Sequence, residues 1–191
     1  YWPVNAPPVV PEEMDGQIQD LLAVHAAVWL VMSAQNEVDG GEFVPKYLTA
    51  VAYKQDCWQW IDVELCRFVS PHSLTLDQAG APNLLYNGEL RLQRAASALV
   101  QDAQDGQAVI FAQLDWLAER KPTVDYRVTL RLLDTAGNVV AQRDDFPIGP
   151  LLPPTTWNAH DAKPGYMALP LPENLPPGEY TLTVAVYDPN S

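Results

Sequence analysis

The sequence predicts an α+β fold: a C-terminal immunoglobulin-like antiparallel β-sandwich, preceded by a small α/β segment of helix, strand, helix and strand. The strongest observation is a strand–turn–strand pattern over residues 126–145, with AGN at 136–138 as the turn. A second is the run PPGEY at 176–180, which leads directly into a final strand over 181–188. A third is the apolar content of 48%, which is enough for packed cores.

Residues 1–80 are expected to form the small α/β segment, either as part of a larger domain or packed on the sandwich. A helix is predicted over 12–26, where apolar residues recur at helical spacing. The apolar run 27–32 is typical of a strand covered on both faces, and residues 42–53 repeat large apolar side chains at every fourth position. Residues 58–69 alternate as a single strand, and this order of elements permits a right-handed crossover between parallel strands.

The second part of the chain is predicted to be all-β. Prolines and turn-forming residues indicate a linker over 71–82, and residues 84–191 are expected to form the sandwich domain. Turn signals at 87–88 and 104–107 separate short strands. Six or seven strands with turns at this spacing are typical of a sandwich.

Charge and hydropathy limit the classes of partner. The net charge of −13 argues against a nucleic acid or an anionic membrane surface. No apolar run reaches the roughly 18 residues that span a bilayer, so we expect no membrane contact by this stretch itself. Because the chain begins without Met and stops just after a strand, we interpret it as a piece of a longer protein.

The two cysteines, Cys57 and Cys66, flank the strand predicted over 58–69. If that strand is continuous, the residues between them, at about 3.3 Å each, separate the thiols beyond disulfide reach. A hairpin within the segment is the alternative that would bring them together. The sequence therefore favours free thiols, and two cysteines are too few to decide the redox compartment.

Several short stretches of the C-terminal part follow one pattern: LDW at 114–116, DYRVTL at 125–130, LDTAG at 133–137, VAQRD at 140–144, PTTW at 154–157, LPLP at 169–172 and PGEY at 177–180. Together they resemble the C-terminal extracytoplasmic region of bacterial dolichyl-phosphate-mannose mannosyltransferase-like membrane proteins, of the family 39 type. The upstream residues 27–31 and 44–48 are similar to the segment that precedes the sandwich in those proteins.

The resemblance implies a non-catalytic accessory domain outside the cytoplasm, on the cell surface or periplasmic side, tethered through a membrane-spanning parent. The catalytic acidic residues of such transferases lie near the membrane-embedded N-terminal part, so none is carried over to this chain. One departure is visible after the tryptophan of PTTW. The family usually has a Gly-Glu pair and an acidic residue there, whereas residues 158–165 are NAHDAKPG, which weakens any shared ligand site in this loop.

The sequence contains no catalytic or metal-binding signature. The three histidines stand at no metal-ligand spacing with one another or with the cysteines, and no serine lies in a G-x-S-x-G nucleophile elbow. No glycine-rich loop resembles a phosphate-binding loop. We therefore expect a protein that is not an enzyme and that uses no metal or cofactor.

The tryptophans supply the candidate ligand-binding residues. Trp58 and Trp60 are predicted on the same strand face as Asp62 and Glu64. Exposed rings beside carboxylates bind sugars, because the ring stacks on the pyranose while the acid binds hydroxyl groups. The alternative is that both rings pack against a helix or the sandwich.

A second candidate group lies in the proline-rich loop, where His160 and Asp161 follow Trp157. The alternative for Trp157 is that it caps one end of the sandwich core. Trp29 and Trp116 belong to apolar strand faces, and we expect both to be buried.

Two functions of different classes follow from these observations. The first is a structural module that packs on neighbouring domains of the parent protein or associates with itself, favoured because the α/β segment is too small to bury itself. If this function is correct, the tryptophans should be buried and an apolar patch should be open to solvent. The second is a glycan-binding sandwich, which expects exposed tryptophans beside carboxylates.

Overall fold

The computed structural model describes residues 11–33, 43–101 and 107–191. Helices and strands are mixed in the first third, and the remainder consists of strands and 3₁₀ turns. In chain order the elements are α1 (Pro11–Val24), β1 (Ala27–Ser33), α2 (Phe43–Val51), β2 (Tyr53–Trp60), β3 (Val63–Val69), η1 (Pro71–Ser73), β4 (Asp77–Gly80), β5 (Leu84–Tyr86), β6 (Leu90–Gln101), β7 (Ala108–Ala118), β8 (Arg127–Leu133), β9 (Val139–Asp145), η2 (Pro154–Thr156), β10 (Ala162–Pro170) and β11 (Thr181–Tyr187).

Strands β1, β3 and β2 form the N-terminal sheet, in that order and with both pairings antiparallel. The prediction of a single strand over 58–69 is wrong, because the chain reverses at Ile61 and Asp62 and its two halves pair as a hairpin. The predicted parallel crossover is also wrong, since β3 lies between β1 and β2. No Asn-Gly or Asp-Gly pair marks this turn, which is why the sequence pattern conceals it.

The two helices cover one face of the N-terminal sheet. Ile18 and Leu22 of α1 and Leu48 of α2 are buried against Cys66 and Phe68 of β3. These apolar side chains recur at helical spacing on α1 and alternate along β3, so each element presents one apolar face to the other. The opposite face of this sheet is not covered by the helices.

The central sheet has the strand order β10-β7-β6-β4, and β5 also pairs with β6. All its pairings are antiparallel. Residues 77–80, which the sequence assigned to a linker, form β4 and pair with β6. The turn predicted at 104–107 falls largely on residues 102–106, outside the described residues.

The C-terminal sheet has the strand order β11-β8-β9 and packs face to face on the central sheet. Their shared core contains Leu114 and Trp116 of β7 and Val128 and Leu130 of β8. Each of these residues lies two positions from the next on its strand, as expected for inward-facing side chains. The predicted sandwich is confirmed, and so is the burial of Trp116, which is 0% exposed.

The N-terminal sheet contacts the other face of the central sheet. Tyr53 of β2 and Val69 of β3 are buried with Val109 and Phe111 of β7 and with Ala168 of β10. Because Val109 and Phe111 alternate with residues of the sandwich core, they point to the opposite side of β7. The central sheet therefore has neighbours on both faces over this part of its length.

Arg143 of β9 links the three sheets. Its Nη1 donates to the backbone carbonyl of Ala168 in β10, at 2.9 Å, and to that of Gln55 in β2, at 3.3 Å. Burial lowers the pKa of the Arg143 guanidinium from its usual value, and the carboxylates of Asp145 and Asp56 oppose that shift. This contact holds β2 beside the sandwich and so positions the surfaces described next.

Candidate functional site

The side of the N-terminal sheet that faces away from the helices packs on the central sheet at Tyr53 and Val69. Beyond that contact it carries a group of large apolar side chains, here called the aromatic face. It comprises Trp29 and Val31 of β1, Trp58 and Trp60 of β2, Leu65 of β3 and, at the hairpin tip, Ile61. Their cross-strand register places Val31 beside Leu65 and Leu65 beside Trp58. The side chains at the open end are exposed: Trp29 46%, Val31 62%, Trp60 57% and Ile61 99%.

The expected burial of Trp29 is therefore wrong. The apolar run of β1 has only one covered face, since Val28 and Leu30 pack toward the helices while Trp29 and Val31 point outward. The Trp29 ring lies 5.5 Å from the Trp58 ring, centroid to centroid. The two rings span the central strand β3 and form one continuous surface.

The expectation of free thiols is also wrong, because Cys57 and Cys66 form a disulfide. They are direct cross-strand neighbours in the β2–β3 hairpin, with Cα atoms 4.1 Å apart. The hairpin left open by the sequence is the arrangement that occurs. The disulfide joins the two strands that carry Trp58, Trp60 and Leu65 of the aromatic face.

The hairpin also separates the acidic residues from the tryptophans. Trp58 and Trp60 pair with Leu65 and Val63, whereas Glu64 pairs with Gln59 and so lies on the helix-covered side. The predicted shared face of Trp58, Trp60, Asp62 and Glu64 is wrong on this account. Asp62 lies in the turn itself and is exposed.

Glu64 lies next to the disulfide, where its carboxylate is 3.5 Å from the Sγ atom of Cys66. Cys57, Glu64 and Cys66 are close enough to resemble a metal-ligand group. Sulfur atoms joined in a disulfide are not thiolates, however, and the thiolate is the form that binds metals. Of these three residues, only Glu64 therefore has a group in the form that binds metals.

A cleft of about 1110 Å³ opens between β2 and the sandwich. Asp56 and Trp58 of β2 form one wall, and the loop between β10 and β11, including Glu173 and Tyr180, forms the other. The floor is apolar, with Ile110 and other side chains at the open end of the sandwich core. Trp58 therefore belongs both to the aromatic face and to the cleft.

Two hydrogen bonds fix the walls of the cleft. The Tyr180 hydroxyl donates to the carbonyl of Pro176 at 2.6 Å, which ties the ring to its own loop. The backbone N–H of Cys57 donates to Oδ1 of Asp56 at 2.8 Å, which orients that carboxylate. Aromatic and acidic groups of the cleft are thus held before any ligand arrives.

The second predicted group lies elsewhere. Trp157 is 1% exposed in the sandwich core, and its Nε1 donates to the carbonyl of Leu152 at 2.9 Å. His160 and Asp161 form a tight turn, in which His160 adopts a left-handed φ of 68° and Asp161 accepts from the N–H of Asn158. The buried position of Trp157 is the alternative that the sequence left open, in which this ring caps one end of the sandwich core.

The structure does not bring the two predicted groups together. His160 donates its N–H to the carbonyl of Ala118 at the last residue of β7, whereas the cleft includes Ala108 at the first residue. An 11-residue strand is roughly 35 Å long. Trp58 and His160 therefore belong to opposite ends of the molecule.

Several residues of these surfaces were missed by sequence reasoning: Trp29, Val31, Asp56, Glu173 and Tyr180. Asp56 stands two positions before Trp58, a spacing that places both on one face of a strand, and this signal was available. Glu173 and Tyr180 reach the cleft through tertiary packing, which no local pattern reveals. Both surfaces offer contact area and hydrogen-bonding groups, which is the chemistry of binding.

Comparison with known proteins gives no relative: no protein family model, no curated protein and no solved structure matches the chain. Among the described helices, none is long and apolar enough to cross a membrane.

Proposed function

We propose that this chain is a non-catalytic, structural module that associates with itself, or packs on neighbouring domains of its parent protein, through the aromatic face. The observation that carries the proposal is an open apolar patch, on which Trp29, Val31, Trp60 and Ile61 are exposed. The burial of Trp60 that this function led us to expect is wrong, since the side chain is 57% exposed. Exposed apolar side chains that are contiguous, rather than scattered, are typical of protein interaction sites. Covering them is favourable by about 25 cal/mol per Å² of apolar area.

A two-fold pairing of two copies fits this surface best. Such pairing brings the same patch of both copies together. The aromatic face is largely apolar; its one charged neighbour among the described β3 residues is Arg67, which lies 5.7 Å from the Trp29 ring centroid. The net charge of −13 acts against this contact, because two acidic bodies repel at long range. We therefore expect association to strengthen as salt is added, since salt screens the repulsion and leaves the apolar contact.

Two features support placing the module outside the cytoplasm, as the resemblance to the mannosyltransferase-like membrane proteins implies. Disulfides such as Cys57–Cys66 persist in oxidising compartments and are rare in the cytosol. An immunoglobulin-like arrangement, common in extracellular domains, is supported by Tyr180, whose hydroxyl bonds back to Pro176 just before β11 in the manner of a tyrosine corner. Attachment to a membrane-spanning parent is part of this proposal.

Sedimentation velocity at increasing protein concentration tests the self-association. The informative variant is Val31→Glu, which places a charge on the aromatic face beside Leu65 without disturbing a buried side chain. Val139→Glu is the matched control, because Val139 is also an exposed strand valine but lies on β9 of the sandwich. Both variants change the net charge equally.

We expect concentration-dependent dimers for the wild type and for Val139→Glu, and at least about tenfold weaker association for Val31→Glu. A wild type that sediments as a monomer at every concentration would contradict self-association. Equal weakening by both variants would show that charge, and not the aromatic face, controls it.

Sugar binding is the second candidate function. The observation that favours it is the cleft, where the Trp58 ring and the Asp56 carboxylate line the same wall.

A further inference from the structure

The cleft differs in chemistry from the aromatic face, because it combines rings with carboxylates and amides. We propose that it binds a neutral oligosaccharide, with sugar rings against Trp58 and Tyr180 and sugar hydroxyl groups on Asp56 and Glu173. This inference rests on the second candidate function and deepens it; of the aromatic face, only Trp58 lines the cleft. Of the group predicted on one strand face, the proposed site keeps Trp58 but not Trp60, Asp62 or Glu64, which do not line the cleft.

The size of the cleft points to a chain of sugars rather than to one sugar. Pockets that enclose a drug-sized ligand measure about 300–1,000 Å³, and this cleft measures about 1110 Å³. It is a groove between two walls rather than a closed cavity. A groove of this kind accommodates a linear ligand whose ends continue into solvent.

The rings of the cleft are held in place by contacts within the protein. Trp58 contacts the Trp29 ring, 5.5 Å away, and Tyr180 is held by its hydrogen bond to Pro176. Pro177 stiffens the same loop. Rigid aromatic groups lose little conformational entropy on binding, so more of the contact energy appears as affinity.

The polar groups match the hydroxyl groups of a sugar. Asp56 and Glu173 accept hydrogen bonds, while Gln101 and Gln107 at the same cleft have side-chain amides that both donate and accept. A sugar ring presents hydroxyl groups of both kinds at its rim and C–H groups on its faces. The apolar floor and the aromatic walls suit those faces, and the carboxylates and amides suit the rim.

The charge of the cleft indicates a neutral ligand. Among the described residues that line it, none is basic, and two are carboxylates. Two other clefts of the molecule each include a basic side chain, Lys163 in one and Arg67 in the other. An anionic glycan would meet Asp56 and Glu173 and a net charge of −13.

Isothermal titration with hexasaccharides tests the proposal. The probes are linear hexamers of mannose, glucose and N-acetylglucosamine, with hexagalacturonate as the anionic comparison and hexalysine as a cationic peptide. We expect one of the neutral hexamers to bind, and hexagalacturonate not to bind. Repeating the titration on Val31→Glu separates sugar binding from self-association, because Val31 does not line the cleft.

Variants then locate the site. Trp58→Ala is expected to weaken binding by roughly tenfold, since it removes the ring contact. Both tryptophan variants are made in the Val31→Glu background, so that a change in self-association does not alter the result. Trp60→Ala is the matched control: it removes a tryptophan of the same strand that does not line the cleft, and it is expected to leave the affinity unchanged. Glu173→Gln changes an exposed loop residue and therefore tests the cleft without affecting folding; about threefold weaker binding is expected.

Three results would overturn the proposal. The first is the absence of heat with all three neutral hexamers at millimolar concentration. The second is tighter binding of hexagalacturonate or hexalysine, which would assign the cleft to an anionic glycan or a basic peptide. The third is an equal loss of affinity in Trp60→Ala and Trp58→Ala, which would move the site to the aromatic face.

Discussion

The tryptophans of the sandwich are buried, whereas those of the N-terminal sheet are partly exposed to solvent. The central and C-terminal sheets cover each other, so Trp116 and Trp157 are almost fully buried. The N-terminal sheet has helices on one face only, so Trp29 and Trp60 remain about half exposed on the other. The difference shows that a tryptophan on an apolar strand is a core residue only where a second layer covers it.

This comparison separates stability from binding. Side chains in the sandwich already have their contacts, and changing them affects folding. Side chains on the aromatic face and in the cleft still have apolar area to bury, which makes them available to a partner or ligand. Substitutions in the two regions should therefore differ most in their effect on the free energy of unfolding.

The largest expected effect comes from paired tryptophan substitutions. Trp116→Ala should lower the free energy of unfolding by about 3–5 kcal/mol, because it leaves a cavity between the two sheets. Trp29→Ala should lower it by about 1 kcal/mol or less, since it removes only the ring contact with Trp58 and a cation–π contact with Arg67. Urea denaturation followed by circular dichroism measures both.

An equal decrease in the free energy of unfolding for Trp29→Ala and Trp116→Ala would contradict this difference between the two regions. Such a result would mean that the aromatic face is covered in solution. Repeating the measurement at low protein concentration distinguishes cover by a second copy, because association contributes less stability when the protein is dilute.

The disulfide gives the next largest effect. Replacing both Cys57 and Cys66 by Ala should lower the free energy of unfolding by about 2–3 kcal/mol, the entropic value for a loop of this length. Wild-type protein in a reducing buffer should show a similar loss, and the double variant should not respond to the reductant. A wild type whose stability is the same with and without reductant would contradict the disulfide's role in holding the hairpin.

The smallest expected effect is a pH dependence at the edge of the sandwich core. Burial by itself would raise the pKa of the Glu89 carboxyl, but hydrogen bonds from Thr123 and Tyr126 and the nearby Arg120 bring it below its ordinary value of 4.5. A pKa lowered by folding contributes stability that is present above pH 4.5 and is lost as the pH falls through the lowered value.

Glu89→Gln should therefore be less stable than the wild type near neutral pH, by about 1–2 kcal/mol, and the gap should narrow below pH 4.5. Urea denaturation over a pH series measures the gap. Glu173→Gln is the control, because Glu173 is an exposed carboxylate of a loop and should change stability little at any pH. A gap that stays constant with pH would contradict the ionised state of Glu89.

Most of the sandwich was predictable because its signals are local. The AGN turn joins β8 to β9: Asp134 accepts from the N–H groups of Ala136 and Asn138, and Gly137 adopts a φ of 85°. Inward-facing residues such as Trp116 and Val128 alternate along their strands. These features depend on neighbours within a few residues, which the sequence contains in full.

The candidate site was less predictable, because it depends on one unmarked reversal of the chain. The alternation of residues 58–69 suits a single strand as well as two, and the reversal at Ile61 carries no Asn-Gly or Asp-Gly signal. Once the chain turns there, Glu64 moves to the helix side and Cys57 meets Cys66. One turn thus reverses several predictions together.

The sequence by itself determined the α+β composition, the sandwich and the acidic character of this protein, because periodicity, turn residues and charge act locally or by simple addition. Only the tertiary structure decided which apolar faces are covered. Trp29 and Trp116 lie on comparable apolar strands, yet a second layer packs on one and not on the other. That choice depends on contacts between residues far apart in the chain, which also bring Trp58 and Tyr180 to one cleft.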